Sequence, residues 1–115
     1  MVRVILDASF VISCVDARVD LLSELQRVFG NVDVCMPVCV FEEVERNGSK
    51  LCISILESMK PKLLVATSIQ GDDALVETAR KGDIVATMDK ELKERLREKG
   101  VRLVTLRQKK YVEEV

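Results

Sequence analysis

Five short apolar runs divide this chain, and the segments between them carry apolar residues at helical spacing. The first run, Val2-Arg3-Val4-Ile5-Leu6, is rich in β-branched residues and reads as a strand buried on both faces, ending abruptly in Asp7-Ala8-Ser9. Val32 to Met36, Leu63 to Ala66, Asp83 to Ala86 and Val101 to Leu106 supply four more strands. Between the first two, Val19, Leu22, Leu25, Gln26 and Phe29 predict a long helix from Asp16 to Phe29, stopped by Gly30. Pro37 suits the first position of a helix holding Val40, Phe41 and Glu42 to Glu45. Asn47-Gly48 is a turn, and Ser49 caps a helix to Met59 with Leu51, Ile55 and Met59 on one side, broken by Pro61. Asp72-Asp73 opens a helix through Lys81, and a charged helix runs from Asp89 to Lys99, closed by Gly100. The polar tail, about residues 107–115, is expected to be mobile or packed on a sheet edge. Strands alternating with helices predict an α/β fold whose parallel sheet is covered on both faces. With 115 residues there is room for a single domain, residues 1–115.

Ligands of open α/β sheets gather beyond the carboxyl ends of the strands. Asp7 and Asp89 stand just past such ends, Asp72 in the loop region after another, and Glu43 on the helix after a fourth. Placed at about 100° per residue, Leu75, Val76 and Ala79 define the apolar stripe of the third-acid helix, with Asp72 near its middle and Asp73 well to one side. Each acid has a structural alternative. Asp72 and Asp89 sit where aspartate caps a helix, and Glu43 lies among Glu42 and Glu45, a spacing common on solvated faces. Joint placement separates the two readings. Two unit charges about 4 Å apart repel by on the order of 4 kcal/mol at an effective dielectric near 20, so four gathered carboxylates call for a counter-charge. Oxygen donors without cysteine or histidine favour Mg²⁺ or Mn²⁺, and such ions suit phosphodiester chemistry.

Composition narrows the choice further. The chain has no histidine, so proton transfer near neutral pH falls to carboxylates, lysine or metal-held water. A net charge of −1 argues against a surface wholly given to nucleic acid but leaves room for a local basic stripe. Aromatic residues are 3% of the chain, too few for base stacking as the main binding device. Cys14, Cys35, Cys39 and Cys52 lack metal-site spacing and read as small buried hydrophobes, with Cys35 and Cys39 the one pair to check for a disulfide. No apolar run approaches the roughly 18 residues of a membrane span, and no charged leader precedes an apolar one, so the expected location is the cytoplasm. A phosphoacceptor receiver would need an acid closing the third strand, where this chain has Ala66-Thr67-Ser68.

The ordered set Val4-Ile5-Leu6-Asp7-Ala8-Ser9, the segment from Pro37 ending in Glu43-Val44, Asp72-Asp73-Ala74-Leu75-Val76 with Ala79, and Val85-Ala86-Thr87-Met88-Asp89 resembles the PIN-domain nucleases. From Asp72 to Arg107 it looks closer to archaeal relatives of the small-subunit processome PIN nuclease than to typical VapC toxins. The resemblance implies a three-layer α/β/α PIN-like fold with a central five-stranded parallel sheet in the order 3-2-1-4-5. It also implies a metal-dependent endoribonuclease, using Mg²⁺ or Mn²⁺, in RNA processing or as a toxin. Asp7 matches the central metal ligand, Glu43 the second acid, Asp72 the third and Asp89 the fourth; Ser9 and Thr87 match small hydroxyl positions that orient acids or water. The turn after Ala79 is about one residue short of the family pattern, so Asp73 stays beside Asp72 as a candidate metal ligand. The implied partners are RNA, expected single-stranded, a second copy in a homodimer, and an antitoxin or ribosome-assembly protein. Arg46, Lys50, Arg107, Lys109 and Lys110 are the candidate RNA contacts. The alternative is a catalytically weak PIN-like scaffold that binds RNA or protein.

Overall fold

A computed structural model describes all of residues 1–115. β1 (Val2–Leu6) is followed by α1 (Ala8–Asp16), α2 (Leu21–Phe29), β2 (Val32–Pro37), α3 (Val38–Asn47), α4 (Lys50–Met59) and β3 (Lys62–Leu64). Then come α5 (Gly71–Thr78), β4 (Ile84–Ala86), α6 (Lys90–Glu98), β5 (Arg102–Arg107) and β6 (Tyr111–Glu114). The sheet order is β3-β2-β1-β4-β5-β6. Pairings among the first five strands are parallel, so the predicted order of those five holds. Val4, Ile5 and Leu6, and likewise Ile84, Val85 and Ala86, are fully buried although successive side chains point to opposite faces, so helices cover both. One apolar cluster of 28 residues joins these strands to Phe10, Leu25, Val40, Leu56, Leu75, Leu92 and Leu96 of the helices.

Two expectations are corrected. The segment Asp16 to Phe29 is not one helix: Asp16 ends α1, Arg18 takes a left-handed backbone at φ 59°, and Asp20 caps α2 by accepting from Ser23 N at 3.1 Å. Burial of Phe10, Val11, Cys14 and Val15 against the sheet makes residues 8–16 a helix of their own. The sheet has six strands and is mixed, because the tail folds back as antiparallel β6. Gln108 and Lys109 both adopt positive φ, 52° and 56°, the turn hand that matches a twisted hairpin. No glycine marks that turn, which hid it. β6 is fastened on its outer side by α2: Glu24 accepts from Val112 N at 2.9 Å, and Arg27 donates to Val112 O at 2.9 Å.

Smaller shifts have local causes. In α4 the core takes Cys52 and Leu56, leaving Leu51 60% exposed, so the buried stripe lies one residue on from the expected one. Helix α5 ends at Thr78 because Ala79 turns to extended backbone to reach β4. All four cysteines are free, Cys35 and Cys39 included. No helix is long and apolar enough to cross a membrane.

Candidate acidic active site

Parallel pairing of β1 with β4 places Asp7 and Thr87 side by side at the carboxyl edge. Asp7 N donates to Ala86 O at 2.9 Å, and Thr87 N to Val104 O at 3.2 Å, so both residues continue the ladder one step beyond their strands. Asp7 occupies the N-cap position of α1, yet its carboxylate makes no capping bond. It turns instead toward two hydroxyls: Ser9 Oγ donates to Asp7 Oδ2 at 2.7 Å and Thr87 Oγ1 to the same oxygen at 2.6 Å. Asp7 is buried, and no fully buried side-chain oxygen in the molecule goes without a partner. Oδ1, which receives none of these bonds, therefore keeps contact with solvent.

The two hydroxyls also tie Asp7 to the next acid. Asp89 N donates to Thr87 Oγ1 at 3.1 Å, and Met88 N to Ser9 Oγ at 3.1 Å. Thr87, completely buried, thus links the carboxylate of Asp7 to the backbone of Asp89. The capping alternative for Asp89 is real: its Oδ1 accepts from Leu92 N at 3.0 Å. A capping carboxylate still has a second oxygen to offer. For Asp72 capping fails, since Gln70 is the N-cap of α5 and provides no side-chain bond either. Asp72 stands in the first turn of α5, where the helix dipole favours negative charge.

Glu43 reaches the same place from α3. A Cβ added to Gly71 would lie 3.3 Å from Glu43 Oε1, so the bare backbone at the start of α5 is what lets that helix come so close to α3. Electrostatics records the gathering. Partial burial pushes the Glu43 carboxyl above its usual range, with Asp7 and Asp72 adding to the rise and Arg46 opposing it. Desolvation at the cleft rim raises Asp72 in the same way, reinforced by Asp7 and Asp89 against Arg95. None of the four acids takes part in an ion pair. Asp73, by contrast, faces outward and pairs with Arg95 at 2.8 Å. The structure therefore joins the acids in a chain of neighbours, with Asp7 and Asp72 beside Glu43 and Asp72 also beside Asp89, sets Ser9 and Thr87 on Asp7, and engages Asp73 with Arg95.

The donor set can be weighed for a metal. No three of these acids converge closely enough to hold a metal ion by themselves. A hard dication that keeps most of its waters, and meets the carboxylates partly through them, fits such an open group, whereas a dry all-protein site would not. Of the expected RNA contacts, Arg107 pairs with Glu113 at 2.9 Å, while Lys109 lies on the β5–β6 turn at the carboxyl edge and lines a hollow there with Met88. Gly71 and the Met88 amide went unnoticed in the sequence; a glycine opening a helix directly before Asp72 was the available signal for the first.

A mostly parallel sheet with four acids beyond its carboxyl edge defines an α/β domain with an acidic sheet edge. Comparison with known proteins is more specific. A family model described as a PIN like domain matches residues 4–109. The chain is 30% identical over 126 residues to Ribonuclease VapC4 of Methanocaldococcus jannaschii, covering 98% of this chain and 96% of that protein. It is 30% identical over 117 residues to the rRNA-processing protein FCF1 homolog of Mus musculus, covering 95% of this chain but only 59% of the mouse protein. The solved structure of the PIN domain endonuclease Utp24 matches with a TM-score of 0.85 at 26% identity, over 97% of this chain and 90% of that one. The chain belongs to the PIN-domain nuclease family.

Proposed function

We propose that this protein is an endoribonuclease that hydrolyses single-stranded RNA with Mg²⁺ or Mn²⁺ held by Asp7, Asp72 and Asp89. The observation that carries the reading is the buried Asp7 carboxylate, held on one oxygen by two hydroxyls and free on the other, beside three acids that form no ion pair. When bound, a dication supplies Lewis-acid neutralisation of the scissile phosphate and makes water easier to deprotonate. The chain's own groups do the rest. Ser9 and Thr87 hold the Asp7 carboxylate in one orientation, which leaves Oδ1 free for a ligand. Glu43, brought in from α3 against the start of α5, positions the attacking water or takes a second ion. Asp89 keeps one oxygen on the Leu92 amide and leaves the other unbonded, so capping fixes its position without consuming it.

A role in RNA processing accords with the likeness to the FCF1 homologues, and a toxin-type role with the likeness to VapC4; the second likeness extends along both chains. Cleavage of a labelled single-stranded RNA in Mn²⁺ is the test. Asp7→Asn, which keeps the shape and can still accept from Ser9 and Thr87, lowers the rate by on the order of 10³-fold. A variant that cuts as fast as the native chain overturns the assignment.

A further inference from the structure

A cation that none of the acids claims lies beside them. Lys93 stands four residues past Asp89 on α6, about 6 Å further along the helix axis. Its Nζ donates to Thr105 Oγ1 at 3.2 Å, and that hydroxyl in turn donates to Met88 Sδ at 3.3 Å. Thr105 is buried on β5, and Met88 is the residue between Thr87 and Asp89. The ammonium is thus moored, through two side chains, to the segment that carries the site. Lys93 forms no ion pair. Burial lowers its pKa, followed by its neighbours Arg107, Arg97 and Lys90, and the one acid noted as opposing them is Asp89. Lys90, Lys93 and Arg97 succeed one another at helical spacing along one face of α6. Of these cations only Arg107 is neutralised, by Glu113.

A half-buried ammonium among like charges loses solvation without gaining a counter-ion. An amine has three donors, of which Thr105 takes one. The remaining two suit an anion, and a compact ammonium serves a phosphate better than it reads a base. The setting also favours such a group: four acids repel a polyanion, and fixed positive charge beside them adds to what a bound dication offsets.

We propose that Lys93, flanked by Lys90 and Arg97, forms a phosphate subsite that holds a backbone phosphodiester of the RNA next to the one at the acids. The subsite rests on the nuclease reading above. It positions the strand and takes no part in bond cleavage.

The test separates the two. Binding of a single-stranded RNA oligonucleotide to Asp7→Asn protein is followed by fluorescence anisotropy over a salt series, so that no cleavage is needed. Adding Lys93→Met weakens binding about tenfold at low salt and flattens the slope of log K against log salt by about 0.7. Lys93→Arg, which keeps the charge, restores the slope. Lys62→Met removes a charge from the opposite edge strand and leaves the slope as it was. An unchanged slope in Lys93→Met, or the same loss in Lys62→Met, overturns the subsite while the nuclease reading stands. Absence of RNA binding in the parent, with no cleavage by the native chain, overturns both.

Discussion

The two edges of the sheet bury carboxylates to the same depth and treat them in opposite ways. At the amino edge Asp83 is 9% exposed, and at the carboxyl edge Asp7 is 6% exposed. Asp83 receives both arms of Arg3, Nε at 3.1 Å and a terminal nitrogen at 2.6 Å, and also Arg80 N at 2.8 Å. Arg3 donates once more, to Thr78 O at 3.0 Å, so the pair ties β1 to the end of α5. Burial alone would raise the Asp83 pKa; Arg3 and the Arg80 amide outweigh it and hold the group below its usual range. At the carboxyl edge only hydroxyls reach Asp7, and the acids around it raise one another. Depth of burial therefore does not mark a working carboxylate. What marks it is the missing counter-charge, a cost that folding bears where a ligand is to bind.

The sharpest way to break this contrast is to neutralise one acid on each edge. Arg3→Met or Asp83→Asn leaves a buried partner unpaired and costs about 2 kcal/mol, a fall of roughly 10 °C in melting temperature. Asp7→Asn relieves repulsion, so its melting temperature stays level or rises while its cleavage disappears. Thermal melts of the purified variants decide the matter, and a large destabilisation by Asp7→Asn would erase the distinction between the edges.

Acid pH should move the edges in opposite directions. Asp83 has a folded pKa below its unfolded value of about 3.9, so its contribution is complete above that value and is lost as pH falls through the lower folded one. Glu43 and Asp72 have folded pKa values above their unfolded values of about 4.3 and 3.9. Their ionised forms penalise the folded state, and that penalty fades as pH falls through the folded values. Metal-free protein taken down from pH 7 should therefore gain about 3 °C before it loses stability, a small rise because both groups are solvent-screened. The rise vanishes when Glu43→Gln and Asp72→Asn are combined; a rise that persists would place its origin elsewhere.

The smallest effect tests the approach of α5 to α3. Gly71→Ala brings a methyl to 3.3 Å from Glu43 Oε1, so the carboxylate must yield by a few tenths of an ångström. Cleavage is expected to fall about threefold with the melting temperature within about 2 °C of native, because misplacement of catalytic groups costs rate before stability. A change in stability without a change in rate would remove Glu43 from the chemistry.

The buried strands were plain in the chain because a run such as Val4-Ile5-Leu6 has no other stable placement, and Pro37 and Gly30 end elements for reasons internal to the backbone. The break between α1 and α2 was not legible. Val15, Val19 and Leu22 continue a helical period across it, while Arg18 adopts its left-handed turn without the glycine that would announce one. The tail packs on the sheet edge, one of its two expected places, but its strand form was not legible because the groups that fasten it, Glu24 and Arg27, lie more than eighty residues away and look like an ordinary surface pair. Among the acids, periodicity set Asp72 apart from Asp73, and the structure shows Asp73 engaged by Arg95.

Residue order alone thus determined the alternation of strand and helix, the placing of acids beyond strand ends, and the absence of histidine from any mechanism. Tertiary structure alone decided which of those acids share a field, that Asp7 leaves one oxygen free, and that Lys93 is moored on Thr105 without an ion pair. The division has a physical cause. Secondary structure answers to neighbours a few bonds or one turn away, which a sequence displays directly. Charge interaction depends on distance through space, and that distance exists only after the sheet has assembled.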